Sequence, residues 1–356
     1  MLNDDCGGYF ERGETGDQTT LGSKRVRVPN SAALKKAGIS ESFFHAGDTK
    51  IHYVAGPPNG EPLVLIPGQS ITWEEYVLLL PLLAQDHQVY AVSLPGHGQS
   101  SWTPAKYTFN ELGATLAAFI REVVGEPAIV GGNSSGGVLT VWLAANEPDL
   151  VRGLILEDPP IFECEWPMIK TTTVYDVFLG ASKMAAVGGG GFSRFFTETL
   201  APLRAQFGRQ WGVPTPPPIV FSLIGRGIAL HQALRPSAPL DAPFLPTPLR
   251  VGLRSFSQFD GRFSQAFVDG TVGEGFDHAA ALTKIVQPTL FMHAKWFRAP
   301  DGRLVGALDD DDVARIRSLI GGAFDYVRLD CGHAIALQLP EREAREIRAF
   351  EARHNL

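Results

Sequence analysis

Ser134 stands between two glycines in Gly132-Asn133-Ser134-Ser135-Gly136, the spacing G-x-S-x-G. The apolar Ala128-Ile129-Val130 leads into it, and an apolar stretch at 138–145 follows. This pattern suits a strand that turns sharply into a helix and holds a serine at the turn. Glycines make the turn feasible because they lack Cβ. The helix behind the serine would lend its N-terminus to developing negative charge. A serine hydroxyl is a weak nucleophile at neutral pH, so acyl transfer at Ser134 needs a general base, and the base needs an orienting acid.

The elements that must carry such a site alternate regularly. Residues 41–54 alternate around Gly47-Asp48, as a hairpin does. The continuous apolar run 63–66 reads as a strand buried on both faces, followed by Pro67-Gly68-Gln69. Helical spacing covers 72–83, with Trp73, Tyr76, Leu79 and Leu80 on one face. A strand follows at 87–93, then an amphipathic helix at 110–124 and the strand that ends at the glycines. The helix after Ser134 stops near Glu147-Pro148, because proline cannot continue it. The next strand runs through Leu154-Ile155-Leu156 to Glu157-Asp158. Strand–helix alternation of this kind predicts a mostly parallel sheet flanked by helices. The rhythm breaks at 161–284 and resumes with a strand at 289–293, a helix at 312–320, a strand at 324–329 and a last helix at 341–353. The expected organisation is an N-terminal extension at 1–40 with a short helix at 31–36, a core at 41–160, an inserted cap at 161–284 and the rest of the core at 285–356.

Four local motifs in this order resemble the α/β-hydrolase superfamily: Pro67-Gly68-Gln69, Pro95-Gly96-His97-Gly98-Gln99-Ser100, the Ser134 segment, and Gly332-His333. The first has Pro67 where the family usually has histidine, and the second has Ser93 where an aspartate is usual. The resemblance implies an α/β-hydrolase fold with an inserted cap, Ser134 as nucleophile and His333 as base. His97, also in a strand-end loop, is the competing histidine. The resemblance also implies an oxyanion hole from the backbone N–H of Ser135 and that of Gln69 or Gly68. The family's usual acid position follows the strand ending at 293, where Lys295-Trp296-Phe297-Arg298 offers no carboxylate. Asp158 is therefore preferred, at a position where some members carry their acid. Asp301 and the run Asp309 to Asp312 remain open, although Asp301-Gly302 reads as a turn and the run as a helix cap.

Composition narrows the partners. The 356 residues are 44% hydrophobic and 19% charged, with net charge −7 and no basic block, which argues against nucleic acid. Cys6, Cys164 and Cys331 make neither a disulfide framework nor a metal-spaced set, and no metal or organic cofactor is implied. Residues 1–20 lack the basic start and apolar run of a signal peptide, and no run approaches the roughly 20 apolar residues that span a bilayer. The expectation is a cytoplasmic protein away from membranes; a homo-oligomer is left open, because the sequence does not fix the oligomeric state.

The aromatic-rich insertion is expected to shape an apolar pocket, with Trp166, Phe192 and Phe221 as substrate-binding candidates. The leading expectation is a serine hydrolase of a carboxylic ester or lactone with a bulky apolar body. The Ser134-Ser135 pair and Asp158 resemble the arrangement in zearalenone-type macrolactone hydrolases. The alternatives are a carbon–carbon bond hydrolase of the meta-cleavage type, whose elbow Gly132-Asn133-Ser134 resembles, and a non-catalytic small-molecule receptor on the same fold.

Overall fold

Strand β3 (Pro62–Ile66) is buried along its whole length and sits near the middle of the sheet. The structure, a computed structural model, describes residues 28–187, 191–211, 217–235 and 238–356. Most of the N-terminal extension, the glycines at 188–190, and Pro214 and Pro216 lie outside the described residues.

Before β3 come β1 (Ser40–Ala46) and β2 (Thr49–Ala55), an antiparallel hairpin. Gly47 turns it at φ 59°. After β3 follow β4 (Gln88–Ser93), β5 (Ala128–Asn133), β6 (Val151–Glu157), β7 (Thr289–His293), the short β8 (Phe297–Arg298) and β9 (Leu304–Val305), and β10 (Phe324–Arg328). One sheet takes the order β1-β2-β4-β3-β5-β6-β7-β10, parallel from β4 to β10; β8 and β9 pair separately. The chain leaves β3 for β4 on one side and returns through β5 on the other. A sheet with that reversal opens a crevice at the carboxyl ends of the two strands. The Gly68–Gln69 loop and Ser134 both lie there.

Alternate residues feed the two faces of the sheet. Val64, Val92, Val130 and Leu156 join one core with Phe109, Leu116 and Leu139. Leu63, Leu65, Ile129 and Ile155 join the other with Trp73, Leu80, Ile347 and Phe350. The expected helix at 72–83 is broken into a 3-10 turn, Trp73–Tyr76, and a short helix, Leu80–Leu83. Pro81 explains the break: it has no N–H to continue the ladder and sits in the first turn of a new helix. The described residues of 161–284 fold mainly as helices, among them Val174–Val187, Pro218–Leu234, Thr247–Phe256 and Gly261–Asp269. Among the described residues no helix is long and apolar enough to cross a membrane.

Candidate active site

Ser134 has φ 54° and ψ −125°, a region that non-glycine residues almost never adopt. Such a conformation costs about 1–3 kcal/mol and persists only where its surroundings enforce it. Enforcement comes from both sides. The Ser134 N–H donates to the Glu157 carbonyl at 3.0 Å, and its own carbonyl accepts from Gly137 N–H at 2.9 Å as the helix Ser135–Asn146 begins. The flanking glycines are required by contact. A Cβ on Gly132 would fall 2.4 Å from the Gly136 carbonyl carbon, and one on Gly136 would fall 2.1 Å from the Ile66 carbonyl oxygen.

His333 follows β10 in a loop. Its Nδ1 is hydrogen-bonded to Asp158 Oδ2 at 2.7 Å. Asp158 ends β6 in a left-handed turn, φ 48°, and is 1% exposed. Its second oxygen accepts the Ala294 N–H at 3.1 Å, which fixes the carboxylate plane. Burial disfavours a charged His333, but the hydrogen bond and charge of Asp158, with Glu75 behind them, outweigh it and raise its pKa above the usual range. Asn133 ties this loop to the elbow: its Nδ2 donates to the His333 carbonyl at 2.9 Å and to the Glu157 carbonyl at 3.2 Å.

The other candidate acids are engaged elsewhere. Asp301 is an exposed turn residue that accepts from the N–H and Nε of Arg303. Asp309 caps the helix Asp310–Leu319 in a capping box with Asp312 and pairs with Arg298, while Asp310 accepts from Trp296 and Arg328. His97 is likewise committed. Burial pushes its pKa down to about 4, so it is neutral; Nδ1 donates to the Pro95 carbonyl and Nε2 accepts the Ser70 N–H at 2.9 Å. It thereby props up the loop after β3 from outside the cavity.

That loop corrects one expectation about the oxyanion donors. The Gly68 N–H donates to Glu75 Oε2 at 2.9 Å, so it is occupied. Among the described residues, the backbone N–H groups of Gln69 and Ser135 have no partner. Gln69 is held by its side chain, whose Nε2 donates to Ser264 Oγ at 2.6 Å.

Ser134, His333, Gln69 and Ser135 share a cavity of about 210 Å³. Its apolar wall includes Ile71, Val174, Val177, Phe178, Phe267 and Val305, and among the described residues no lysine or arginine lines it. Trp166, Phe192 and Phe221, expected to bind substrate, are not on that wall. Trp166 is half-exposed beneath Lys170 Nζ, Phe192 stacks on Phe256, and Phe221 stacks on Phe196. These two phenylalanines fill the helical region's own core, because a helix turns only some of its aromatics toward any one cavity. Sequence reasoning missed Glu75 and Glu163, two carboxyls in the cavity wall. Glu74-Glu75 inside an apolar helical pattern was the available signal for the first. Burial raises Glu75 to about 7.

Chemically, the arrangement offers a hydroxyl on a strained turn, an imidazole oriented by a buried carboxylate, and two unpartnered N–H groups at a helix start and a strand end. That set suits attack on a carbonyl. Several known proteins resemble this chain. Over 138 residues it is 38% identical to an esterase of Mycobacterium tuberculosis, covering 38% of each chain. Over 193 residues it is 26% identical to a chloroplastic pheophytinase of Arabidopsis thaliana, covering 43% of this chain and 38% of that one. The matched portions thus span little more than a third of these relatives' length. The fold is similar to that of a membrane phospholipase A (TM-score 0.60, 20% identity, 91% and 89% of the two chains covered). It is also similar to that of a carboxylesterase from Bacillus subtilis (TM-score 0.57, 18% identity, 90% and 95% covered). A sequence model of the alpha/beta hydrolase family matches residues 63–346, most of the chain, and the chain belongs to that family.

Proposed function

We propose that the protein is a serine hydrolase that cleaves a carboxylic ester or lactone through an acyl-enzyme. The observation that carries this reading is the 2.7 Å bond between His333 Nδ1 and Asp158, beside a strained Ser134 in one apolar cavity. Ser134 Oγ attacks the carbonyl carbon while His333 Nε2 takes its proton. The tetrahedral oxyanion is held by the N–H groups of Gln69 and Ser135. His333 then returns the proton to the leaving alkoxide, the C–O bond breaks and an alcohol departs. Water, deprotonated by His333, attacks the acyl-enzyme, and the acid is released with Ser134 restored. Asp158 fixes the tautomer of His333 and stabilises its charged form.

The cavity favours a compact apolar ester over a large ring. Pockets that enclose drug-sized ligands run from about 300 to 1,000 Å³. This one is about 210 Å³. A macrolactone of the zearalenone kind would fit only if the helices of 161–284, which we read as a cap, moved apart. An anionic substrate of a carbon–carbon hydrolase would meet no lysine or arginine among the described residues of the wall. The test is product analysis on short-chain esters, small lactones and zearalenone with wild type and Ser134→Ala. Addition of one water to an ester or lactone, lost in the variant, and an acyl adduct on the Ser134 peptide are expected. Hydrolysis that survives Ser134→Ala overturns the assignment. Binding without any turnover favours a receptor.

A further inference from the structure

Glu163 is 8% exposed, lines the cavity, and has a buried Oε2 without a hydrogen-bond partner. A buried carboxyl oxygen left unsatisfied is costly, and its persistence in a cavity wall points to a ligand group that completes it. The surroundings define that group. The nearby Arg298 is paired with Asp309. Asp312 accepts the Asp309 N–H at 3.2 Å. Burial and then the Asp312 charge push the Glu163 carboxyl up to about 7, with Arg298 opposing; a hydrogen bond with the Asp312 side chain adds to the rise. Thr172 and Thr173 also line the cavity. Their hydroxyl hydrogens are donated to the carbonyls of Ile169 at 2.7 Å and Leu304 at 3.1 Å, so both offer only lone pairs to a ligand. The wall is therefore rich in acceptors inside an apolar chamber.

We propose that Glu163, with Thr172 and Thr173, forms a subsite for a neutral hydroxyl group on an otherwise apolar ligand. A hydroxyl donates to the acceptors without bringing a charge into an apolar chamber. A carboxylate or an ammonium would each pay a far larger desolvation cost there. Placed with the hydrolase reading, on which this naming of a substrate class rests, the substrate is an ester whose apolar chain carries a hydroxyl away from the scissile bond.

The test separates binding from turnover. Matched esters of linear acids of increasing length, ending in methyl, hydroxyl, ammonium or carboxylate, are bound to Ser134→Ala and followed by calorimetry. At the best length the hydroxyl-ended ester should bind about tenfold more tightly than its methyl-ended partner, as one hydrogen bond allows. Glu163→Leu in the same background should remove that ratio, and Glu163→Gln, which keeps an accepting oxygen, should retain most of it. The ratio is internal to each variant, so a general loss of folding does not imitate it. No hydroxyl preference at any length, a preference unchanged in Glu163→Leu, or tighter binding of the ammonium ester overturns the subsite. Turnover is read separately with Ser134 present. Preference without turnover keeps the subsite and removes the hydrolase; turnover without preference does the reverse.

Discussion

The Glu75 carboxylate accepts the backbone N–H of Gly68 at 2.9 Å, so the loop after β3 is braced from within the cavity wall. This takes Gly68 out of the proposed oxyanion set, for which the N–H groups of Gln69 and Ser135 stay free among the described residues. It also puts a second acid near His333, whose pKa it helps to raise. Glu75→Gln keeps an oxygen for Gly68 but removes the charge. His333 must be neutral to act as a base, so the acidic limb of the kcat/KM profile should move to lower pH. Glu75→Ala leaves the Gly68 N–H unpaired and should cost about 1–3 kcal/mol of stability. A pH–rate profile and thermal unfolding read the two effects; an unmoved acidic limb in Glu75→Gln would show that the charge is not felt at His333.

Asp158→Asn should keep the fold and reduce kcat by about 10⁴, since an amide donates where the imidazole N–H must be accepted. Asp301→Asn should leave kcat unchanged, because Asp301 is spent on Arg303 in a turn. Steady-state kinetics on one ester decides between them. Equal, small losses would remove the carboxylate of Asp158 from the mechanism.

What was legible in the chain follows from what each signal depends on. The elbow is local: Gly132 and Gly136 sit where a Cβ would strike the backbone, so their identities announce the turn around Ser134. The sheet was legible because buried parallel strands need continuous apolar runs such as 63–66. The choice between Glu157 and Asp158 depends on which side of β6 each side chain takes. Asp158 meets His333, while Glu157 is buried with Tyr76 on the far side. Glu163 depends on burial created by distant segments, which no spacing encodes, while Glu75 was marked only by carboxylates standing inside an apolar helical pattern. Trp166, Phe192 and Phe221 were legible as apolar mass but not as wall, since helix orientation decides which rings face a cavity. The break near Pro81 was in plain view, and the apolar spacing of 72–83 masked it.

Gly136→Ala should be among the most damaging single-methyl changes in the chain. The added Cβ would sit 2.1 Å from the Ile66 carbonyl oxygen, which is sheet backbone and cannot swing aside. Overpacking typically costs about 1–3 kcal/mol, and more where backbone must move. A fall in Tm of several degrees with loss of activity is expected. Gly227→Ala, in the helix Pro218–Leu234 with nothing near its Cβ, serves as the control. It should be neutral or slightly stabilising. Equal Tm values for the two variants would contradict the packing argument.

Beneath the elbow, Glu75, Glu157 and Glu343 are buried together around Tyr76, whose hydroxyl lies 3.0 Å from the Ile66 carbonyl and accepts the Asn133 N–H at 3.2 Å. Burial, then mutual repulsion, holds Glu157 well above the usual carboxylate range, and burial pushes Glu343 up to about 8. An unfolded glutamate titrates near about 4.3. Between that value and about 8 the unfolded chain therefore releases protons that the folded chain keeps, and stability must fall as pH rises through this window. Below it, both states are protonated and the contribution is complete. Glu343→Gln removes one of these groups while keeping its shape. The variant should match wild type near pH 4 and unfold several degrees higher at pH 8, with a shallower decline between. His97 and His278, held down at about 4 by burial, weaken both proteins alike as pH falls below the histidine range, so the acidic side is no guide. Thermal unfolding across pH 4 to 8 measures the difference; parallel curves for the two proteins would show that Glu343 is already ionised in the fold.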